Sequence, residues 1–108
     1  MYTVVEPGIG GSTFSVNLNA ENNYEEGYIE LSLELNEGVE IDAEDDSIEV
    51  SIEILRSELT DDFSSWRSLK RVYFSSYEDA LVWKFRDMTI EQGVTYRYCF
   101  RQYDSKGF

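Results

Sequence analysis

The segment that decides the fold is Ile90-Glu91-Gln92-Gly93-Val94-Thr95-Tyr96-Arg97-Tyr98-Cys99-Phe100-Arg101-Gln102-Tyr103-Asp104-Ser105-Lys106-Gly107. In its second half, aromatic and β-branched residues alternate with polar ones, which predicts a strand that is buried on one face. Turn-forming residues flank this strand on both sides, since glycine adopts a positive φ without a Cβ clash. We therefore expect the central strand of a β-sandwich here. Its predicted inward residues are Val94, Tyr96, Tyr98 and Phe100, and its predicted outward residues are Thr95, Arg97, Cys99 and Arg101.

Other segments repeat the same alternation. In Gly27–Leu35 every second residue is apolar, and a helix of period 3.6 would scatter those residues around its circumference. Ser47–Leu55 shows the same pattern, with Ile48, Val50, Ile52 and Ile54 predicted to point inward. Weaker strand patterns cover residues 13–18, 66–74 and 80–88, with polar turns predicted over 19–26 and 75–79 and one helical turn as an alternative near Trp66.

About six short strands without a long helix predict an all-β sandwich over residues 13–108. Residues 1–12 include Pro7-Gly8-Ile9-Gly10-Gly11-Ser12, which predicts a linker or a joint to a preceding module. These glycines do not indicate a phosphate-binding loop, because no Gly-Lys-Ser/Thr follows them.

The composition excludes several kinds of chemistry. The chain has one cysteine, Cys99, and no histidine, so it forms no intrachain disulfide, no cysteine-based metal site and no imidazole-based catalytic triad. No cofactor is predicted. No apolar run approaches the length of a membrane span, so we expect no membrane insertion. The formal charge of −13 argues against nucleic-acid binding, because acidic surfaces repel phosphate.

The charges are unevenly distributed along the chain. Residues 1–62 hold seventeen acidic residues and one basic residue, whereas residues 63–108 hold five acidic and eight basic residues. Two solvated sheet faces explain this asymmetry, and head-to-tail packing of copies is the functional alternative. The acidic run over residues 40–46 suggests a calcium site, but its spacing does not match an Asp-x-Asp-x-Asp-Gly loop, which favours a solvated loop.

The pattern Ile90-x-x-Gly93-x-x-Tyr96-x-Tyr98-x-Phe100, followed by Tyr103-Asp104-Ser105-x-Gly107, resembles the end of a fibronectin type III domain. The resemblance extends over about residues 12–108 and implies an immunoglobulin-like sandwich. It makes Tyr96 the candidate for a structural tyrosine corner, whose hydroxyl bonds the backbone a few residues upstream. It also implies a last strand, G, beyond residue 107. The alternatives are a fragment of a longer protein, which we favour, an unpaired sheet edge, or a strand donated by another chain.

The segments Asp87–Tyr98 and Arg101–Tyr103 also resemble virion structural proteins of tailed bacteriophages, which carry such modules in tails, baseplates and fibres. This resemblance implies an assembly role in the virion, with other virion proteins or further copies of the chain as partners. A carbohydrate-binding or adhesive module of a cell-surface protein is the alternative, with Trp66, Tyr73 and Tyr77 as candidate stacking residues.

Enzymatic activity is not expected. Adjacent carboxylates such as Asp61 and Asp62 lack any neighbouring group that would tune their pKa, and Cys99 has no histidine partner, so an inert thiol is expected. The candidate interaction site is a basic stripe, predicted to share one sheet face if the strands that carry it pair. Its members are Lys84, Arg86, Arg97 and Arg101, with the carboxylates of Glu30, Glu34, Glu49 and Glu53 as expected partners in the same copy or in another one.

Overall fold

The computed structural model describes residues 3–5, 9–10, 15–23, 25–40, 47–58 and 66–103. These residues form an all-β fold of two sheets with one short helix. The elements are β1 (Thr3–Val5), β2 (Ile9–Gly10), β3 (Val16–Asn23), β4 (Tyr28–Leu35), β5 (Ser47–Glu58), β6 (Arg67–Ser76), α1 (Tyr77–Val82), β7 (Lys84–Asp87) and β8 (Tyr96–Tyr103).

The smaller sheet is antiparallel, with the strand order β3-β4-β7. Its central strand β4 confirms the predicted alternation, because Ile29, Leu31 and Leu33 are buried in the core. The predicted polar turn is shorter than expected. β3 pairs with β4 along its whole length, up to the pair Asn23–Tyr28, so cross-strand pairing extends the strand through residues whose composition favours a turn.

The larger sheet has the order β1-β8-β5-β6, and β2 also pairs with β8. β5 pairs antiparallel with both β6 and β8, whereas β1 and β2 run parallel to β8. Residues 3–5 and 9–10 therefore differ from the linker predicted over residues 1–12. The linker was predicted from glycine and proline content alone. In the structure, the backbone N–H and C=O groups at the edge of β8 are available to pair with these residues.

The core lies between the two sheets. Inward residues of β8 and β5 face inward residues of β3 and β4, and α1 closes the layer with the fully buried Ala80. The predicted inward faces of the two long strands are confirmed for Ile52, Ile54, Tyr98 and Phe100 among others. The core members are Val16, Leu18, Ile29, Leu31, Leu33, Val50, Ile52, Ile54, Phe74, Ala80, Tyr96, Tyr98 and Phe100.

The segment between β6 and β7 is where the predicted turn and strand are wrong. Residues 77–82 form α1, and the strand predicted over 80–88 is limited to Lys84–Asp87. The Oγ of Ser76 accepts a hydrogen bond from the backbone N–H of Asp79 and so caps the helix. Capping and an acidic first turn favour a helix here over the weak alternation. Upstream, Arg67–Ser76 is a strand, which excludes the alternative of a helical turn within it.

Candidate functional site

Tyr96 lies at the start of β8 and is buried in the core. Its hydroxyl oxygen accepts a hydrogen bond from the backbone N–H of Glu91, five residues upstream, at 2.7 Å. Gly93, with φ of +84°, turns the chain between these two residues. The guanidinium of Arg56 lies over the ring of Tyr96, 4.7 Å from its centroid. This arrangement fixes the entry of the chain into the central strand.

A buried ion pair joins the two sheets near Tyr96. Nη1 of Arg56, on β5, lies 2.8 Å from Oδ2 of Asp87, at the end of β7. The hydroxyl of Tyr98 donates to the same oxygen at 2.8 Å. The hydroxyl and backbone N–H of Thr89 donate to Oδ1 at 2.7 and 3.1 Å. Asp87 is 2% exposed, so its charge is neutralised by these donors instead of by water.

The pKa values in this network follow from burial and from the four donors. Burial by itself would raise the pKa of Asp87, but hydrogen bonds from Arg56, Thr89 and Tyr98 outweigh it and lower that pKa below its ordinary value. For Arg56, burial would lower the pKa, and the hydrogen bond and charge of Asp87 raise it instead. Burial, together with the hydrogen bond donated to Asp87, raises the pKa of Tyr98. The network is a structural cross-link between the sheets.

Sequence reasoning missed this network, although one signal was available. The inward alternation of Ile52 and Ile54 continues to Arg56, and the register confirms it, because Arg56 lies opposite the core residue Tyr98. An arginine at an inward position requires a buried anion. That anion, Asp87, is 31 residues away in sequence, and no local pattern indicates it.

The structure corrects the predicted basic stripe. Lys84 and Arg86 lie on β7 in the smaller sheet, whereas Arg97 and Arg101 lie on β8 in the larger sheet. The four residues therefore do not share a face. Their strands are near in sequence, but the turn at residues 91–95 carries the chain from one sheet to the other.

Three of these basic residues pair with carboxylates of their own sheet. Nζ of Lys84 and Nε of Arg86 lie 3.8 and 3.3 Å from the carboxylate of Glu30. Nη1 of Arg101 lies 4.0 Å from Oε1 of Glu53. The sequence left open whether the carboxylate partners lie in the same copy of the chain or in another one. For these three residues they lie in the same copy.

Arg97 differs from the other three because it is only 5% exposed. Its Nη2 donates to Oγ of Ser57 at 3.1 Å, and its guanidinium lies over the ring of Trp66 at 5.1 Å from the centroid. Cys99, on the same face of β8, is also buried. The outward face of β8 is thus covered at this end and exposed only from Arg101 onward.

The exposed part of the larger sheet carries a cluster of polar and aromatic side chains across three strands. Opposite residues of paired strands share a face, and the register gives two rows: Tyr73–Ser51–Tyr103 and Arg71–Glu53–Arg101. We call these six residues the outer-face cluster.

Glu53 is the hub of the outer-face cluster. Its carboxylate accepts hydrogen bonds from the hydroxyls of Ser68, at 2.9 Å, and Tyr103, at 3.2 Å. The guanidinium of Arg71 covers the ring of Tyr103, 4.2 Å from its centroid. A hydrogen bond with Tyr103 raises the pKa of Arg101, and the charge of Glu53 adds to this effect. These contacts hold the side chains of Glu53, Tyr103 and Arg71 against one another.

The three aromatic residues considered for carbohydrate stacking lie in different surroundings. Tyr73 is 57% exposed on the outer face of β6. Tyr77, on α1, is partly buried against the core. Trp66 is partly buried under Arg97. The structure therefore leaves Tyr73 available to a ligand and engages the other two within the domain.

Two further predictions concern ions and membranes. The acidic run of residues 40–46 lies outside the described residues except for Glu40, which is exposed. Within the described ranges, no group of three or more potential ligands is arranged to hold a metal ion. In the same part of the chain, no helix has the length and apolarity needed to cross a membrane.

Comparisons with known proteins identify no relative. No protein-family model matches the chain, and neither a curated protein nor a solved structure is similar to it.

Proposed function

We propose that this chain is a non-enzymatic assembly module with a fibronectin type III-like sandwich, part of a virion structural protein of a tailed bacteriophage. It acts through protein–protein contacts in the tail, baseplate or fibre. The sheet arrangement supports this family. β3, β4 and β7 share one sheet, and β5, β6 and β8 share the other. Immunoglobulin-type sandwiches divide strands A, B and E from strands C and F in the same way.

The observation that carries the proposal is the covering of the outward edge of β8. In the correspondence above β8 is strand F, and strand G of the family pairs along that edge. Here the edge is covered by β1 and β2, which pair in parallel with Tyr96–Tyr98 and with Arg101 and Gln102 only. The register also changes by one residue between the two short strands.

Such a covering is weaker than a continuous antiparallel strand. Parallel pairs are slightly less stable per residue, and short strands make few ladder bonds. A partner that offers a longer strand can therefore displace β1 and β2 and pair along the whole of β8. Addition of a strand to a sheet edge is a common mode of protein assembly. The side chains of the incoming strand would then determine which partner binds and in which register it pairs with β8.

Sedimentation velocity over a concentration series, at low and at high salt, tests this proposal. The informative variant is Val4→Pro with Val5→Pro, because proline removes the backbone N–H that a ladder needs. The control is Val4→Ala with Val5→Ala, which keeps both N–H groups. We expect the proline variant to self-associate at lower concentration than the control, since the edge of β8 is then less covered.

Salt separates the two kinds of contact. Backbone pairing at the edge of β8 is little affected by salt, whereas head-to-tail packing of acidic and basic surfaces weakens as salt screens the charges. If all variants remain monomeric at every concentration, the edge is not an assembly site. The virion location is tested separately by mass spectrometry of purified particles, and recovery of the chain only from the soluble fraction of the host would contradict it.

A further inference from the structure

We propose that the outer face of the larger sheet binds a neutral oligosaccharide, with Tyr73 as the stacking residue. This site is independent of the β8 edge on which the assembly proposal rests. The first argument is the exposure of Tyr73, which is 57% exposed on the face that carries the outer-face cluster. Its cross-strand neighbour is Ser51, whose small side chain leaves the ring uncovered on that side.

The register places two tyrosines on opposite sides of one serine on this surface. Tyr73 and Tyr103 both lie opposite Ser51, one on each neighbouring strand. Adjacent strands are about 4.8 Å apart, so the two tyrosines stand on backbones about 9.6 Å apart with a serine between them. An extended ligand that lies across the strands meets the exposed ring of Tyr73 on one side, Ser51 beneath it, and Tyr103, whose ring is covered by Arg71, on the other side.

A depression lies beside Tyr73 on the same surface. It has a volume of about 390 Å³ and is lined by Ile48, Glu49, Tyr73 and Ser75. It coincides with an irregularity in the pairing of β5 with β6, between Ser47 and Val50. Bulges re-aim side chains at such points and are frequent beside binding sites. The depression is open to solvent, so a ligand there would lie on the surface of the sheet and would not be enclosed.

The polar groups of this surface suit hydroxyl groups. Glu49 and Ser75, in the wall of the depression, are exposed, and the guanidinium of Arg101 is about half exposed. Glu53 already holds the hydroxyl of Tyr103 at 3.2 Å, so that group is oriented before a ligand arrives. A sugar ring presents an apolar C–H face for stacking and hydroxyls at its rim, and these match an exposed tyrosine bordered by carboxylate, hydroxyl and guanidinium groups.

The charge of the surface selects a neutral ligand. Two acidic residues, Glu49 and Glu53, lie beside two basic ones, Arg71 and Arg101, and the exposed Asp79, which accepts a hydrogen bond from the hydroxyl of Ser75, adds one negative charge at the edge of the depression. The chain as a whole carries −13, and its field disfavours the approach of acidic saccharides. We therefore assign neutral oligosaccharides as the ligand class.

The test is a titration of the ¹⁵N-labelled chain with cellotriose, maltotriose and chitotriose, followed by amide chemical shifts. At least one of these neutral trisaccharides should produce saturable shifts at Ser51, Glu49, Tyr73 and Ser75, with smaller shifts at Arg101 and Tyr103 and none on the smaller sheet. We expect a Kd of about 1 mM, typical of a shallow site with one stacking residue. Tyr73→Ala should weaken binding about tenfold, because it removes one aromatic stacking contact. Tyr73→Trp should retain binding.

The matched control is Tyr28→Ala, on the smaller sheet, where the guanidinium of Arg86 lies over the ring. This variant should bind as the unaltered chain does. Because Tyr73 is exposed, its substitution should leave the fold intact, and the shift pattern away from the site shows whether it does. The proposal is overturned if no trisaccharide gives saturable shifts at about 10 mM, ten times the expected Kd. It is also overturned if Tyr73→Ala binds unchanged, or if acidic 3′-sialyllactose binds more tightly than every neutral probe.

Discussion

Replacing Asp87 by asparagine should remove a large part of the stability of this domain. Asparagine has nearly the same shape and keeps one oxygen, but it puts an NH₂ group where Oδ2 accepts from Arg56 and Tyr98. The donor groups of Arg56 and Tyr98 would then face the NH₂ group of the asparagine, which is also a donor. Arginine stays protonated inside proteins, so Arg56 would remain charged and buried without its anion.

The magnitude follows from the burial of the pair. The Arg56 and Asp87 side chains are only 9% and 2% exposed. Removing one partner of such a pair typically costs about 3–5 kcal/mol, mainly because the other charge is left in the interior. Domains of this size are stable by about 5–15 kcal/mol, so Asp87→Asn would remove about a fifth of the total or more.

Urea unfolding, monitored by the fluorescence of Trp66 and Trp83, measures this loss. With an m value of about 1.5 kcal/mol/M, a loss of about 4 kcal/mol lowers the midpoint by about 2.7 M. The control is Glu30→Gln, which breaks the exposed pair with Arg86 and should cost under about 1 kcal/mol. The reasoning would be refuted if Asp87→Asn cost no more than that control.

Three further predictions concern pH, the tyrosine corner and the two arginines of β8. Because the pKa of Asp87 is lowered in the folded state, its contribution to stability is present above its ordinary value of 3.8 and is lost as the pH falls through the folded-state pKa. Acid titration of unfolding should therefore be less steep for Asp87→Asn than for the unaltered chain. Tyr96→Phe removes the acceptor of the Glu91 N–H and should cost about 1 kcal/mol in urea unfolding, and an unchanged midpoint would show that this bond is dispensable. Arg97→Glu should destabilise the domain by about 3 kcal/mol or more, because a carboxylate would be buried there. Arg101→Glu should lower the midpoint of urea unfolding much less, because Arg101 is exposed and its pair with Glu53 is solvated.

The last pair of predictions changes how a charge reversal at β8 is interpreted. If the predicted basic stripe existed, reversing Arg97 and Arg101 together would test its role in self-association. In the structure Arg97 is buried against Ser57 and Trp66, so its reversal would destabilise the domain and would not report on a surface contact alone. Arg101 is the residue of the two whose reversal tests a surface contact.

Local patterns determined the strands and their inward faces. Period-2 alternation was sufficient for β4, β5 and β8 because side-chain direction in a strand depends only on the parity of the position. The same patterns were insufficient between β6 and β7. There the helix cap at Ser76 and the burial of Ala80 favour a helix. A period-2 pattern of apolar residues indicates neither of these features. Tyr96 was proposed as a structural residue from the resemblance to a fibronectin type III domain, and the contact found for its hydroxyl is local, with a backbone N–H five residues upstream.

Only the tertiary structure decided which segments lie side by side. It placed β7 and β8 in opposite sheets, set β1 and β2 on the edge of β8, and joined Arg56 to Asp87. The sequence alone determined an all-β chain with its apolar residues on one face of each strand, since each residue's face follows from its own strand. It could not determine strand order or ion-pair partners, because these depend on contacts between distant residues whose energies are decided only when the whole core is packed.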